Sequence, residues 1–206
     1  MSLGQGTNFS PNLDPQFQKY LELLKKWNKV YNLTAITGDE EIVVKHFEDS
    51  LSPLSLLPQS GRLLDIGCGG GFPGIPLKIV RPDLEIVLLD SVFKKIQFCE
   101  AVIRELKLTG IRAVQGRAEN QKIIEQLGLF DVVVCRAAFS IIEFLKMAEK
   151  YLKRSGCAIA MKGPEWEKES KPEENWELAE IKNYELRNNL GKRTLLLFKN
   201  KNFHPQ

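Results

Sequence analysis

No stretch of the 206-residue sequence is apolar for long enough to cross a bilayer, since no run approaches the roughly 20 residues that a membrane helix needs. Nor does a basic stretch lead into an apolar one near the N-terminus, so secretion is not expected. Cysteine is scarce, with four in the chain. Cys68, Cys99, Cys135 and Cys157 are widely separated and none stands in C-x-x-C spacing, which argues against zinc and predicts reduced thiols, no metal, and a soluble cytoplasmic protein. Internal repeats and low-complexity tracts are also missing. A strong charge of one sign is lacking as well: the net +3 is too small to announce a nucleic-acid partner by itself.

What is present is an ordinary globular composition, 43% apolar and 27% charged, enough for one domain or one domain with a small appendage. The charge is unevenly placed. Residues 165–180 hold seven acids and two lysines, a local −5, which leaves +8 on the remaining chain. A basic body of this kind can present a phosphate-facing surface, with Lys25, Lys26, Lys29, Lys45, Lys94, Lys95 and Arg136 as candidates, although scattered lysines are more often simply solvated.

Residues 1–13 are polar and aperiodic, predicting a loose tail. From Asp14, an N-cap followed by Pro15, apolar residues recur at helical spacing through Phe17, Tyr20, Leu21, Leu24, Trp27 and Tyr31. A second helix is predicted from Glu40 to Leu54. Beyond Gly61, short β-rich runs at 63–66, 85–89, 111–115, 132–135 and 158–161 alternate with helical patterns near 74–80, 92–108 and 141–152, the pattern of βαβ crossovers over a parallel sheet. Runs 181–186 and 193–198, joined through Asn188-Asn189-Leu190-Gly191, predict an antiparallel pair. The expected architecture is α/β: a Rossmann-like, mostly parallel seven-stranded sheet with an antiparallel last strand, plus N-terminal helices. Its boundaries are expected at 1–60 for a helical extension and 61–206 for one compact catalytic domain.

The densest signal is Asp65-Ile66-Gly67-Cys68-Gly69-Gly70-Gly71-Phe72-Pro73-Gly74, where a strand ends in a glycine-rich turn that opens a helix. Such a turn lets the backbone approach a ligand closely, and two ligands compete, a dinucleotide and S-adenosylmethionine. The dinucleotide fingerprint G-x-G-x-x-G fails from Gly67, whose sixth position is Phe72. A shifted match on Gly69, Gly71 and Gly74 starts late and sets Pro73 where a pyrophosphate needs an N–H. S-adenosylmethionine has no pyrophosphate and asks only for the close approach that a G-x-G-x-G turn allows. Asp90, at the end of the second strand, is placed to accept from ribose hydroxyls, or else caps the next helix. Ala118, after the third strand, is placed for an adenine to lie against it, and Glu119 either joins it there or is only a helix-start charge.

Six strings in order, Lys26 to Thr34, His46 to Leu51, Asp65 to Pro76, Arg117-Ala118-Glu119, Arg136-Ala137 and Lys162-Gly163, resemble the RsmG (GidB) family of bacterial small-subunit rRNA methyltransferases. Any one of them is weak; together, from about Tyr20 to Lys199, they are specific. The resemblance implies a class-I S-adenosylmethionine-dependent methyltransferase that modifies N7 of a guanine in the decoding-region loop of 16S rRNA, within a small-subunit particle. No membrane and no stable protein partner are implied. Family cofactor contacts fall on Gly67, Phe72, Ala118, Glu119 and Arg136, with Asp90 as the ribose acid; Gly69 joins them from the loop reading. Cys68 and Cys135 stand where the family commonly has hydroxyl residues, so one polar contact in the loop is expected to be weaker.

Guanine N7 carries a lone pair and no proton, so methyl transfer to it needs no general base, and positioning should dominate. His46, Asp49 and Ser50 share one helix edge; they either wall the substrate, with Asp49 accepting from guanine, or bridge the N-terminal helices to the sheet. Asn32 and Lys162 are further candidates for substrate contacts. Trp27 and Tyr31 lie on an apolar stripe and are expected to pack rather than stack on bases. A small-molecule or protein methyltransferase, and a non-catalytic nucleotide-binding module, remain alternatives.

Overall fold

The computed structural model describes residues 14–169 and 173–203; the predicted N-terminal tail lies outside them. Helix α1 (Pro15–Tyr31) starts as its sequence dictates, with the Asp14 carboxylate accepting from the Gln16 and Phe17 amides at 2.7 and 3.3 Å. It stops where Asn32 turns left-handed (φ 49°). The second helical segment is composite. Helix α2 (Asp39–Ile42) widens into a π-helical turn over Val43–Glu48, resumes as α3 (Asp49–Leu51) and tightens to a 3₁₀ turn at Ser52–Leu56, where Pro53 removes an N–H.

The alternating unit follows as β1 (Gly61–Ile66), α4 (Gly74–Val80), β2 (Leu84–Asp90), α5 (Phe93–Glu105), β3 (Ile111–Gln115), α6 (Gln121–Leu127), β4 (Phe130–Arg136), α7 (Ile141–Ala148), β5 (Leu152–Lys162), β6 (Trp176–Glu185) and β7 (Lys192–Asn200). These strands form one sheet in the order β3-β2-β1-β4-β5-β7-β6. Strand β7 alone runs antiparallel to its neighbours β5 and β6, so the last strand slots inside the sheet and leaves β6 at the edge.

The strands bury both faces in alternation, as a parallel sheet between two helical layers must. Leu63, Ile86, Leu88, Val132, Val134 and Ile159 face one core with α1, α4 and α5. Leu64, Val87, Leu89, Val133, Ala158 and Ala160 face the other with α7. Three local departures from the sequence expectation have local causes. Helix α6 is only seven residues long, with Asn120 capping the Lys122 amide, too short for a periodic signal. Helix α7 ends at Ala148 and β5 begins at Leu152, before a register shift in its pairing with β4, so a strand occupies residues that read as loop. Strand β6 begins at Trp176, whose buried indole orders the end of the acidic segment.

Candidate cofactor and substrate site

Strand order reverses between β1 and β4, and in an open parallel sheet the crevice outside the strand ends at such a reversal is where ligands bind. The glycine turn after β1 lies there. Gly67 is tied to the Leu89 carbonyl through its N–H at 2.8 Å, and a Cβ on it would stand 2.9 Å from the Ala138 Cβ, so the loops after β1 and β4 touch. Gly69 differs: its φ is +57°, yet a Cβ there would meet nothing nearer than the Gly67 carbonyl oxygen at 4.0 Å. It faces open space. The turn is fastened from behind by α1, whose Tyr20 hydroxyl donates to the Gly70 carbonyl.

Two carboxylates organise the loop. Asp90 accepts from the Gly69 amide at 3.0 Å and the Val92 amide at 2.9 Å, with the Lys95 ammonium 3.6 Å away. Asp65, a residue that the sequence reading had not singled out, is fully buried; one oxygen accepts from the Gly74 amide at 2.8 Å and the other, Oδ1, has no hydrogen-bond partner among the described residues. Burial, reinforced by Asp90, pushes the Asp65 carboxyl up to about 7, although the Gly74 amide and Arg136 pull the other way. Its signal was present as the acid directly before the glycine turn. The third loop is held alongside, with the Gly116 amide donating to the Asp90 carbonyl at 3.0 Å. Ala118 is buried and its carbonyl accepts from the Tyr151 hydroxyl at 2.8 Å, whereas Glu119 is exposed at the rim.

His46, Asp49, Phe72 and Arg136 meet in one cluster. The Arg136 guanidinium donates to the Lys45 carbonyl at 2.8 Å and to Asp49 Oδ2 at 3.3 Å, lies 3.1 Å from His46 Nδ1, and sits 5.0 Å from the Phe72 ring centroid. The His46 and Phe72 rings stack at 4.6 Å. Burial, with the nearby guanidinium, lowers His46 to about 3, so the imidazole is neutral at physiological pH. Asp49 Oδ1 accepts from the Tyr184 hydroxyl at 2.7 Å, and Arg193 stands 3.7 Å from Oδ2. Both oxygens are therefore occupied. Of the two readings of this helix edge, the contacts are those of a bridge between the N-terminal helices and the sheet.

Lys162 is buried, its ammonium donating to the Phe139 carbonyl at 2.6 Å and to both Glu169 oxygens at 2.7 and 3.0 Å, which uses all three of its protons. Asn32 is exposed at the α1 cap. Lys25 and Lys45 pair with Asp39 and Glu41, so they are not free phosphate contacts. Cys68 is buried against Cys99, whose thiol reaches the Gly69 carbonyl at 3.5 Å. The lost hydroxyl is thus replaced by a thiol turned into the core.

Residues 13–196 match the family described as rRNA small subunit methyltransferase G (GidB). The chain belongs to that family. A protein of Geobacter sp. (strain M21) named ribosomal RNA small subunit methyltransferase G is 55% identical over 144 residues, 70% of this chain and 66% of that protein. A protein of the same name in Acinetobacter baylyi is 50% identical over 145 residues, 70% of this chain and 68% of that one. The match thus spans about two thirds of the length of these relatives. Among solved structures, TrmN from Thermus thermophilus superposes with a TM-score of 0.60 at 14% identity over 73% of this chain and 48% of its own. Precorrin-6y C5,15-methyltransferase from Geobacter metallireducens gives 0.57 at 15%, over 80% and 90%. The fold is that of class-I S-adenosylmethionine-dependent methyltransferases.

The residues of this GidB chain fit that methyl donor better than a dinucleotide. S-adenosylmethionine carries a sulfonium, an ammonium, a carboxylate and two ribose hydroxyls, and its cationic groups and hydroxyls are complemented by acceptors. The Asp90 carboxylate beneath the loop favours a cation and opposes a pyrophosphate, and Asp65 behind it, one oxygen unpartnered among the described residues and its carboxyl pushed up to about 7, adds negative charge only above that pH. Gly69 leaves the approach open.

Proposed function

We propose that this chain transfers the methyl group of S-adenosylmethionine to N7 of a guanine in the decoding-region loop of 16S rRNA, in the cytoplasm and within a small-subunit particle. In this reading residues 61–206 carry the reaction and residues 1–60 form a helical extension that braces them. Family membership supports the rRNA substrate, and one observation is in keeping with N7: the three polar wall candidates His46, Asp49 and Lys162 are engaged within the protein, while Glu119 stays exposed at the rim. His46 is held at about 3, both Asp49 oxygens are occupied, and Lys162 is saturated by Glu169 and Phe139. Transfer to an exocyclic amine or a carbon must dispose of a proton; transfer to N7 need not.

The bound donor supplies an electrophilic methyl on a positively charged sulfur. The chain supplies position. In this reading Asp90 would accept from the ribose, Gly67 and Gly69 would allow close backbone approach, and Ala118 with Glu119 would border the adenine. Arg136, His46 and Phe72 stiffen the wall that separates this loop from the N-terminal helices. Orientation of this kind is worth up to about 7–11 kcal/mol in favourable cases. Incubating the protein with labelled S-adenosylmethionine and 30S particles or 16S rRNA, then mapping the label, tests the reading; methylation of an exocyclic amine would overturn the N7 assignment. Calorimetry with S-adenosylmethionine, S-adenosylhomocysteine and NAD tests the donor, and binding of NAD alone would overturn it.

A further inference from the structure

Large apolar side chains that remain exposed are few among the described residues, and four of them, Val30 and Tyr31 at the end of α1 and Val92 and Phe93 at the start of α5, belong to two helix ends that face one another. The contact is direct: the Lys94 ammonium lies 5.9 Å from the Tyr31 ring centroid, and Trp27 packs on both Tyr31 (5.3 Å) and Phe98 (5.6 Å). Phe93 is 57% exposed although it sits three residues beyond Asp90. An aromatic ring left more than half exposed in that position keeps apolar surface in water.

Along the two segments that carry these rings the formal charge is of one sign. Residues 23–33 and 91–99 contain five lysines, Lys25, Lys26, Lys29, Lys94 and Lys95, and no acid. Aromatic faces interleaved with ammonium groups are the chemistry that binds single-stranded nucleic acid, the rings stacking on bases and the lysines meeting phosphates. Lys25 pairs with Asp39 and Lys95 lies 3.6 Å from Asp90, while Lys26, Lys29 and Lys94 have no ion pair among the described residues; an apolar protein partner would not call for these charges beside two rings, and the place at the mouth of the crevice favours a nucleic acid over a lipid surface. Location adds to this: the Asp90 carboxylate holds both the Val92 amide and the Gly69 amide, so the patch borders the mouth of the crevice.

We infer that Tyr31 and Phe93, with Lys94 and Lys95, form a platform on which nucleotides flanking the target guanine stack while that base enters the crevice. The platform rests on the rRNA methyltransferase reading and assigns to it a substrate-holding surface distinct from the cofactor loop. Tyr31, expected from its helical stripe to be a packing residue, gives one face to Trp27 and keeps more than a third of its surface in solvent.

The test compares wild-type protein with Phe93→Ala, Phe93→Trp and Tyr31→Leu. Three quantities are measured: S-adenosylhomocysteine affinity by calorimetry, KM and kcat on 30S particles or 16S rRNA, and anisotropy of a fluorescent single-stranded oligoribonucleotide. Each truncation should raise the RNA KM and weaken oligonucleotide binding about tenfold, consistent with the loss of one base–aromatic stack. The expected kcat at saturating RNA and the S-adenosylhomocysteine affinity stay within about twofold, and Phe93→Trp restores the KM. An unchanged RNA KM in Phe93→Ala would overturn the platform, as would a loss confined to S-adenosylhomocysteine affinity, which would put the ring on the cofactor. A wild-type dimer that Phe93→Ala dissociates would make the patch an interface between copies instead. If the wild type methylates no small-subunit RNA, the functional reading fails, while the oligonucleotide measurement still decides the platform.

Discussion

The guanidinium of Arg136 stands 3.1 Å from His46 Nδ1 and fixes which nitrogen of that ring carries the proton. Arginine can only donate, so Nδ1 accepts and the proton is on Nε2, which donates to the Thr34 hydroxyl at 2.8 Å. Thr34 is in turn gripped by Asn28, whose side chain meets its amide and carbonyl at 2.8 and 2.9 Å. A line of hydrogen bonds therefore runs from the end of β4 through the π-helical turn to α1.

The neutral His46 and the protonated Asp65 give opposite pH dependences. Lowering a histidine from 6.5 to about 3 means that only the unfolded chain binds the proton between those values, so stability rises with pH there. Raising an aspartate from 3.8 to about 7 means that the folded chain keeps the proton longer, so stability falls with pH between those values. Between about pH 4 and 6.5 the two cancel. Relative to wild type, Asp65→Asn should therefore show a stability that climbs with pH over this window, by up to about 1.4 kcal/mol per unit, and His46→Asn one that declines. Urea midpoints measured at half-unit pH intervals check both; difference profiles that stay flat would refute the assignment.

Arg136 braces the fold, and its removal should show as lost stability before lost binding. Arg136→Ala leaves Asp49, which is 4% exposed in its side chain, with only the more distant Arg193 guanidinium at 3.7 Å, and the His46 ring without its donor. A loss of about 3 kcal/mol is expected from breaking a buried pair in this way. Chemical denaturation measures it. Weaker S-adenosylhomocysteine binding with an unaltered unfolding midpoint would instead make Arg136 a cofactor ligand.

Two glycines of one turn should fail in different ways. A Cβ at Gly71 would land 2.4 Å from Ile75 Cδ1 and 2.9 Å from the Tyr20 hydroxyl, so Gly71→Ala should cost more than about 3 kcal/mol or prevent folding. Gly69→Ala meets no such clash and should cost about 1 kcal/mol from its left-handed φ. Its methyl would stand in the open approach, and S-adenosylhomocysteine affinity should drop by about tenfold or more, roughly 1.4 kcal/mol. Melting curves and calorimetry on the two variants separate the outcomes.

Asp90→Asn should weaken S-adenosylhomocysteine binding by about ten- to a hundredfold, since an amide cannot accept from both the Gly69 and Val92 N–H groups as the carboxylate does. An affinity within twofold of wild type would remove Asp90 from the ribose contact.

Much of this architecture is local and therefore readable along the chain. The Asp14-Pro15 helix start, the alternation of β-rich and helical runs, the turn before β7 and the glycine dipeptides after β1 each follow from dihedral preference, capping or periodicity within a few residues. Helix α6 escaped because seven residues carry too little period, and the early start of β5 because Arg154, Ser155 and Gly156 read as a turn. Asp65 was visible as an acid before the glycine turn, but its isolation from any donor was not.

The residue order by itself determined that a parallel sheet would end its first strand in a ligand-binding turn, because strand period and glycine chemistry act between neighbours. Only the tertiary structure decided what the polar residues near that turn do. Arg136 meets His46 across 90 positions and Tyr184 meets Asp49 across 135, while Glu169 closes on Lys162 from beyond the end of β5. Hydrogen bonding and desolvation depend on which groups share a buried space, and that is fixed by the packing of segments distant in the chain.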